Sequence, residues 1–255
     1  MTTALTGAIV LEEQLSGEAP AIVPYLTAGF PTMARFAEAL SEVASVSEAV
    51  EIGIPFSDPM ADGATIQESS RVALERGATL EAILATLEGL PRLPVPLVVM
   101  SYLNPLMAYG YQRLLPRMAA AGVAGLVVPD LPLEESAELR EVAGRSGIGL
   151  VQLVTPVTDD QRLQLLGAAS EGFTYAVTMT GTTGGSAAVG SDVGVYLDRV
   201  RSAATTPVLA GFGVRSADQV RSLVPHCDGV IVGSALVEVL ARDDDLVAFL
   251  KGLRP

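Results

Sequence analysis

The amino-acid sequence predicts an α/β protein, a single-domain (βα)8 TIM barrel with a leading N-terminal helix, and three observations carry that expectation. Short apolar runs rich in β-branched and aliphatic residues alternate eight times with helix-patterned segments. No linker rich in Pro, Gly or Ser and no low-complexity tract divides the chain, so residues 1–255 read as one domain, a size that α/β barrels reach as single units. The Gly-rich dinucleotide turn of a doubly wound open sheet is missing after the first strand, which leaves that fold as the alternative.

Each element has its own signal. A leading helix is expected over 3–15, ending Glu12-Glu13-Gln14-Leu15. Strand one is Ala21 to Thr27, stopped by Gly29 and Pro31, and a helix follows from Met33 to Val46. Strand two spans 48–54 and carries Glu51; Gly63 opens a helix to Arg76, and Thr79 caps another from Leu80 to Leu90. Strand three is Val95 to Tyr102, with a helix after Asn104-Pro105 running to Ala121. Strand four is Gly125 to Asp130, and Glu134-Glu135 suit the first turn of the next helix. Strand five is Gly149 to Val154, followed by Thr158-Asp159-Asp160 as cap and first turn. Strand six is Phe173 to Thr178, and its helix starts only near Val193. Strand seven is Pro207 to Gly213, with a helix from Ser216 to Pro225. Strand eight is Gly229 to Ser234, and a last helix runs from Leu236 to Leu253.

Composition narrows the function classes. Hydrophobic residues make up 49% and charged residues 18%, ample for a large core. A net charge of −13 argues against nucleic acid and anionic membranes as partners, because both require basic surface. Any anionic substrate must therefore be held by local groups against the global field. One cysteine, Cys227, excludes an internal disulfide framework and fits a reducing compartment. The start, Met-Thr-Thr-Ala-Leu-Thr, lacks the basic region of a signal peptide, and every apolar run is broken before it could span a membrane. The expectation is a soluble cytoplasmic protein.

Chemistry concentrates in residues 51–63, Glu-Ile-Gly-Ile-Pro-Phe-Ser-Asp-Pro-Met-Ala-Asp-Gly. A buried strand rarely tolerates an unpaired ionised group, since desolvation costs several kcal/mol unless the pKa shifts. Glu51 within the strand and Asp62 at the next helix start form an arrangement that suits acid–base chemistry. The same pattern also suits a glutamate reaching to the rim and aspartates, Asp58 and Asp62, serving as turn or cap residues.

In a barrel, function sits at the carboxyl ends of the strands. Those ends hold Tyr25, Thr27, Glu51, Tyr102, Asn104, Asp130, Gln152, Tyr175, Gly211, Gly213, Gly233 and Ser234. Gly-Phe-Gly at 211–213 and Gly-Ser-Ala at 233–235 bring bare backbone N–H groups to one corner, beside a helix N-terminus. That corner suits a phosphate and needs no Lys or Arg; the glycines also suit tight turns alone. The segment 180–191 is long and rich in small residues, as a mobile lid or an ordinary surface loop would be. His226 and Cys227 fall on the stability face, with no second histidine and no acid adjacent to His226, and both read as structural. No metal-ligand spacing, nucleophile elbow or Walker loop occurs.

These motifs resemble the tryptophan synthase α-subunit family over nearly the whole chain. The 51–63 block is the most specific part, supported by Pro-Tyr-Leu-Thr-Ala-Gly at 24–29, Tyr-Leu-Asn-Pro at 102–105 and Pro-Asp-Leu-Pro at 129–132, with the two glycine corners. The resemblance implies a single barrel that cleaves indole-3-glycerol phosphate by a retro-aldol reaction to indole and glyceraldehyde 3-phosphate, with no metal and no organic cofactor. It implies Glu51 and Asp62 as the catalytic pair, Tyr175 as their hydroxyl partner, and Gly184, Gly213, Gly233 and Ser234 as the phosphate cradle. Tyr25, Thr27, Tyr102 and Phe212 are expected in the substrate pocket.

The resemblance also implies a tryptophan synthase β subunit as partner, in an α2β2 heterotetramer. The expected contact loops hold Asp58, Pro59, Met60, Asn104 and Pro105, with Leu106 and Met107 as further apolar groups that would equally pack the loops onto the barrel. The chain departs from the family pattern at the lid. Met179 stands where an Arg is usual, and the usual Gly-Val-Thr-Gly is Gly-Thr-Thr-Gly at 181–184. A stand-alone lyase that releases free indole is therefore one alternative. A non-catalytic barrel that activates a β subunit is another, against which the intact Glu51 and Asp62 speak. An isomerase of a sugar phosphate would fit the glycine corners but does not predict the 51–63 block.

Overall fold

The computed structural model describes residues 6–178, 191–211 and 213–255. Strands β1 (Ala21–Thr27), β2 (Val50–Gly53), β3 (Leu97–Met100), β4 (Val123–Val127), β5 (Gly149–Val154), β6 (Thr174–Val177), β7 (Val208–Gly211) and β8 (Gly229–Val232) pair in parallel in chain order. β8 pairs back onto β1, from Ala21 opposite Gly229 to Pro24 opposite Val232, and closes the barrel. The strands are buried on both faces, the reason they read as continuous apolar runs rather than as alternation.

Helix α1 (Gly7–Leu15) leads, and its Leu11 and Leu15 are buried against the barrel. Around the strands lie α2 (Met33–Ala44), α3 (Ala64–Glu75), α4 (Leu80–Gly89), α5 (Leu103–Tyr109), α6 (Tyr111–Ala120), α7 (Ala137–Ser146), α8 (Asp160–Ala169), α9 (Ser191–Ala203), α10 (Ala217–Leu223), α11 (Ser234–Ala241) and α12 (Leu246–Leu253). The side chains of Thr32, Thr79, Asp159 and Ser216 each accept a backbone N–H at a helix start. Such a cap contributes about 1 kcal/mol.

β1 and β5 have the expected bounds, and the other strands differ by a few residues. β4 begins at Val123, two residues before its expected start, because Gly122 at φ 94° turns the chain straight out of α6. Where one helix was expected after strand three, Gly110 at φ 90° divides α5 from α6. The last helix is likewise two: Asp243 at φ 56° ends the first, and Asp245 caps the second by accepting from Ala248 N at 2.9 Å. Glu134 and Glu135 lie in a 3-10 turn, Leu133–Glu135, ahead of α7 rather than inside its first turn.

The N-terminal face of the barrel repeats one device three times. Ile22 N donates to Glu48, Leu150 N to Glu171 and Val208 N to Asp228, at 2.8, 3.0 and 2.7 Å. Each carboxylate satisfies a strand-start donor and is itself paired with an arginine: Arg254, Arg140 and Arg201 respectively. His226 sits at this end too, and the fold supplies the acid that its sequence neighbours lack: His226 Nδ1 lies 2.9 Å from Asp198 Oδ1. Cys227 is buried, and burial pushes its thiol up to about 11, which keeps it inert.

At the opposite end two tyrosine rings cross glycines on the neighbouring strand. A Cβ on Gly53 would lie 1.9 Å from the Tyr25 hydroxyl, and a Cβ on Gly211 would lie 2.4 Å from the Tyr175 ring. Tyr25 pairs with Glu51 and Tyr175 with Leu209, so each ring leans two residues up the next strand. Among the described residues, no helix is long and apolar enough to cross a membrane.

Gly53→Ala should therefore lower unfolding stability by about 1–3 kcal/mol through overpacking. Urea denaturation should show Gly53→Ala/Tyr25→Ala costing less than the sum of its two single changes; strict additivity would refute the packing account.

Candidate active site

The barrel's carboxyl end opens into a pocket of about 610 Å³, counted to its mouth. It is lined by Tyr25, Glu51, Ala61, Asp62, Ile66, Met100, Pro129, Leu153, Tyr175, Gly213, Ile231, Gly233 and Ser234. Glu51, Asp62 and Tyr175 thus meet the glycine corner in one cavity. Aliphatic strand ends were expected to wall the pocket without being named; they are Met100, Leu153 and Ile231, on the inward face of β3, β5 and β8. Gln152 falls on the opposite parity and does not line this pocket.

Glu51 does not reach to the rim. It is 1% exposed, and neither carboxyl oxygen has a hydrogen-bond partner in the structure. Burial first, and the Asp62 carboxylate second, raise its pKa to about 8. The side chain is therefore a neutral acid at pH 7, with its proton available to whatever enters the pocket.

Asp62 is differently placed. Its loop is tied down by Gln67 Nε2, which donates to the Asp62 carbonyl at 2.8 Å. Ala61 N donates to the Tyr102 hydroxyl at 2.8 Å, and that hydroxyl donates to Asp62 Oδ2 at 3.2 Å. Burial raises the Asp62 pKa to about 6 while the Tyr102 bond pulls against the rise. Two carboxyl groups thus face one cavity with separated pKa values, the lower being ionised and the higher protonated near neutrality. Tyr102 caps α5 and stacks on Phe56 at 5.1 Å between ring centroids, so it orients Asp62 rather than lining the pocket.

Tyr175 is buried, and its hydroxyl is kept protonated by burial, with Glu51 adding to the effect. Thr27 is fully buried and turned to α3: its hydroxyl lies 2.6 Å from Ser69 Oγ, and it does not line the pocket. At the glycine corner Gly213 has φ 77°, a conformation natural only to glycine. Gly233 caps α11, Ser234 is its first residue, and no acid lies in that helix's first turn. Gly184, Phe212, Met179 and the rest of the lid loop lie outside the described residues. Among the described residues, no group of three or more His, Cys, Asp or Glu could hold a metal ion.

The loops flanking the pocket carry exposed groups. Met60 is 84% and Met107 59% exposed, and Asp58 and Asn104 are exposed beside the half-buried Pro59 and Pro105. Leu106 is wholly buried and packs its loop onto the barrel. Asp130 accepts from Leu103 N at 2.9 Å and so steadies the start of α5.

Comparison with known proteins gives a consistent result. A family model described as tryptophan synthase alpha chain matches residues 11–249. The tryptophan synthase alpha chain of Nitratidesulfovibrio vulgaris strain DP4 is 41% identical over 244 residues, covering 95% of each chain. A solved Mycobacterium tuberculosis tryptophan synthase chain is 33% identical with a TM-score of 0.88, over 98% of this chain and 97% of that one. A mutant tryptophan synthase alpha-subunit from Pyrococcus furiosus is 35% identical with a TM-score of 0.85, over 92% and 98%.

The buried carboxyl sets a pH-dependent stability. Its pKa is raised on folding from 4.5 to about 8, so between those values the folded chain holds a proton that the unfolded chain has shed. Glu51 thus costs more stability as pH rises through that window, and a constant amount above it. Glu51→Gln should be nearly neutral at pH 4 and more stable than the parent by on the order of 3 kcal/mol at pH 8. Equal gains at both pH values in chemical denaturation would contradict the burial of an acid.

Proposed function

The chain belongs to the tryptophan synthase alpha chain family, and from that premise we propose how Glu51, Asp62 and Tyr175 divide its reaction. The reaction is the lyase step of tryptophan biosynthesis that cleaves indole-3-glycerol phosphate to indole and glyceraldehyde 3-phosphate. The observation that carries the assignment of roles is the pair of carboxyls in one pocket, one neutral and one ionised near pH 7.

Glu51 delivers its proton to indole C3, which turns the ring into a leaving group. Positive charge then develops at the ring nitrogen, and the Asp62 carboxylate accepts the N–H bond and stabilises that charge. The glycerol hydroxyl next to the breaking bond gives its proton to the Glu51 carboxylate just formed. Its oxygen becomes the aldehyde as the C–C bond electrons return to the ring, so the acid is regenerated. Tyr175 supplies a neutral hydroxyl to the same transition state. Tyr25, Met100, Leu153 and Ile231 wall the indole, with Phe212 as a further wall. The phosphate rests on Gly213, Gly233 and Ser234, where backbone N–H groups and the α11 N-terminus substitute for cations; Gly184 completes the cradle. No metal or organic cofactor is required.

Partner binding belongs to the same reading. Asp58, Pro59, Met60, Asn104 and Pro105 form the face for a β subunit in an α2β2 assembly, with Met60 and Met107 as exposed apolar contacts. A cytoplasmic location suits a biosynthetic enzyme with one inert thiol.

Two measurements test the proposal. The pH profile of kcat/KM for indole-3-glycerol phosphate should be bell-shaped, rising near pH 6 as Asp62 ionises and falling near pH 8 as Glu51 loses its proton. Glu51→Gln should lower kcat about 10²-fold or more, and activity near the parent's would remove Glu51 from the mechanism. Adding a tryptophan synthase β subunit should raise the rate of cleavage; equal turnover with and without it would instead favour a stand-alone lyase.

A further inference from the structure

The loop after β7 is fastened to α11 by one arginine. Arg215 stands two residues past Gly213, and its guanidinium forks onto Glu238: Nη1 donates to Oε2 at 2.7 Å and Nη2 to Oε1 at 2.9 Å. Glu238 lies four residues after Ser234 on α11, so the two side chains share one helix face, a turn apart. A third element meets the same carboxylate. Thr65 Oγ1, at the start of α3 and three residues beyond Asp62, donates to Glu238 Oε1 at 3.3 Å. The arginine's own backbone is pinned as well: its N–H donates to Gln219 Oε1 at 2.7 Å, and the neighbouring Val214 is buried. The Arg215 hydrogen bonds hold the Glu238 carboxyl below the usual carboxylate range, so the pair stays ionised and its charges cancel. Arg215 itself does not line the pocket.

We propose that Arg215 is a positioning residue for the substrate phosphate: clasped to Glu238, it fixes Gly213 on the loop after β7 against Ser234 on α11, and through Thr65 it ties both to the helix start beside Asp62. This rests on the assignment of Gly213, Gly233 and Ser234 as the phosphate cradle. Backbone N–H donors act by placement alone, because they cannot follow a ligand as a long cationic side chain can. The two halves of the cradle come from different strands, β7 and β8, and must be held in register with each other. Gly213, at φ 77°, has no side chain with which to do so. Arg215 supplies that contact. Its fork is already filled by a carboxylate of matching geometry, so it serves the phosphate through Gly213 rather than as a ligand. The two side chains are 41% and 34% exposed, and a pair so wetted adds little to the stability of the fold, which leaves placement as its contribution.

The preference for indole-3-glycerol phosphate over indole-3-glycerol, the ratio of the two kcat/KM values, isolates what the phosphate contributes. Arg215→Met should lower that ratio about fivefold, with the loss in KM for indole-3-glycerol phosphate and kcat within about twofold of the parent. Glu238→Gln should lower it too. The double change Arg215→Met/Glu238→Gln should cost no more than the worse single change, because the clasp is one interaction. Arg215→Lys, which keeps the charge and loses the fork, should fall between the parent and Arg215→Met. A ratio that stays at the parent's value in Arg215→Met overturns the proposal. A gain in Glu238→Gln also overturns it, since an arginine released to bind the phosphate directly would give that result. So does an equal loss on both substrates, the mark of a merely structural role. A parent with no preference for the phosphorylated substrate would overturn the cradle itself, and this inference with it.

Discussion

An ionisable group folded away from water without a partner must take its proton with it, and in this molecule that group is Glu51. Much of the carboxyl end of the barrel follows from that constraint. Glu51 stays neutral because the strand carries it inward, because β1 and β3 cover its flanks, and because the nearby charge of Asp62 has the same sign. Asp62 remains the more acidic of the two since Tyr102 donates to it and its loop stays half-exposed. The difference between these two environments in one cavity is what separates an acid from an anion.

The two ends of the barrel use acidic residues in opposite ways. At the amino end Glu48, Glu171 and Asp228 each accept a strand-start N–H and meet an arginine, so each of these three charges is balanced and serves stability. At the carboxyl end no arginine lines the pocket among the described residues, and the glycine corner offers backbone dipoles instead. For a chain with a net charge of −13 this matters, because an anionic group approaching the pocket meets no help from the overall field. Local N–H groups act at contact distance, where the long-range field counts least.

The architecture was legible in the sequence because parallel strands buried on both faces produce apolar runs that turn residues separate cleanly. β1 and β5 could be read to the residue. Breaks within helices were not legible: Gly110 and Asp243 both adopt positive φ, yet a lone Gly or Asp in a helical pattern does not announce its backbone angle. Of the site, Glu51 and Asp62 were visible as acids out of place in or beside an apolar strand. Met100, Leu153 and Ile231 were not singled out, since an inward aliphatic at a strand end looks like any core residue. The partner of His226, Asp198, lies 28 positions away and reaches it only through the packing of α9 against the strand-eight turn. The hydroxyl chain from Ile66 through Ser69 to Thr27 was likewise hidden, because it joins residues on β1 and α3 that only the closed fold brings together.

The crossing of Tyr25 over Gly53 has a bearing on how such a sequence can change through time. A side chain at 53 cannot be accommodated while the ring is in place, and a smaller residue at 25 would leave a void over a glycine. The two positions therefore form a single heritable character. A lineage that replaces Gly53 first passes through a crowded intermediate, and one that shrinks Tyr25 first passes through a hollow one. Since Tyr25 shares its rung with Glu51, either route also disturbs the wall of the pocket, so drift at this pair is tied to the chemistry beside it.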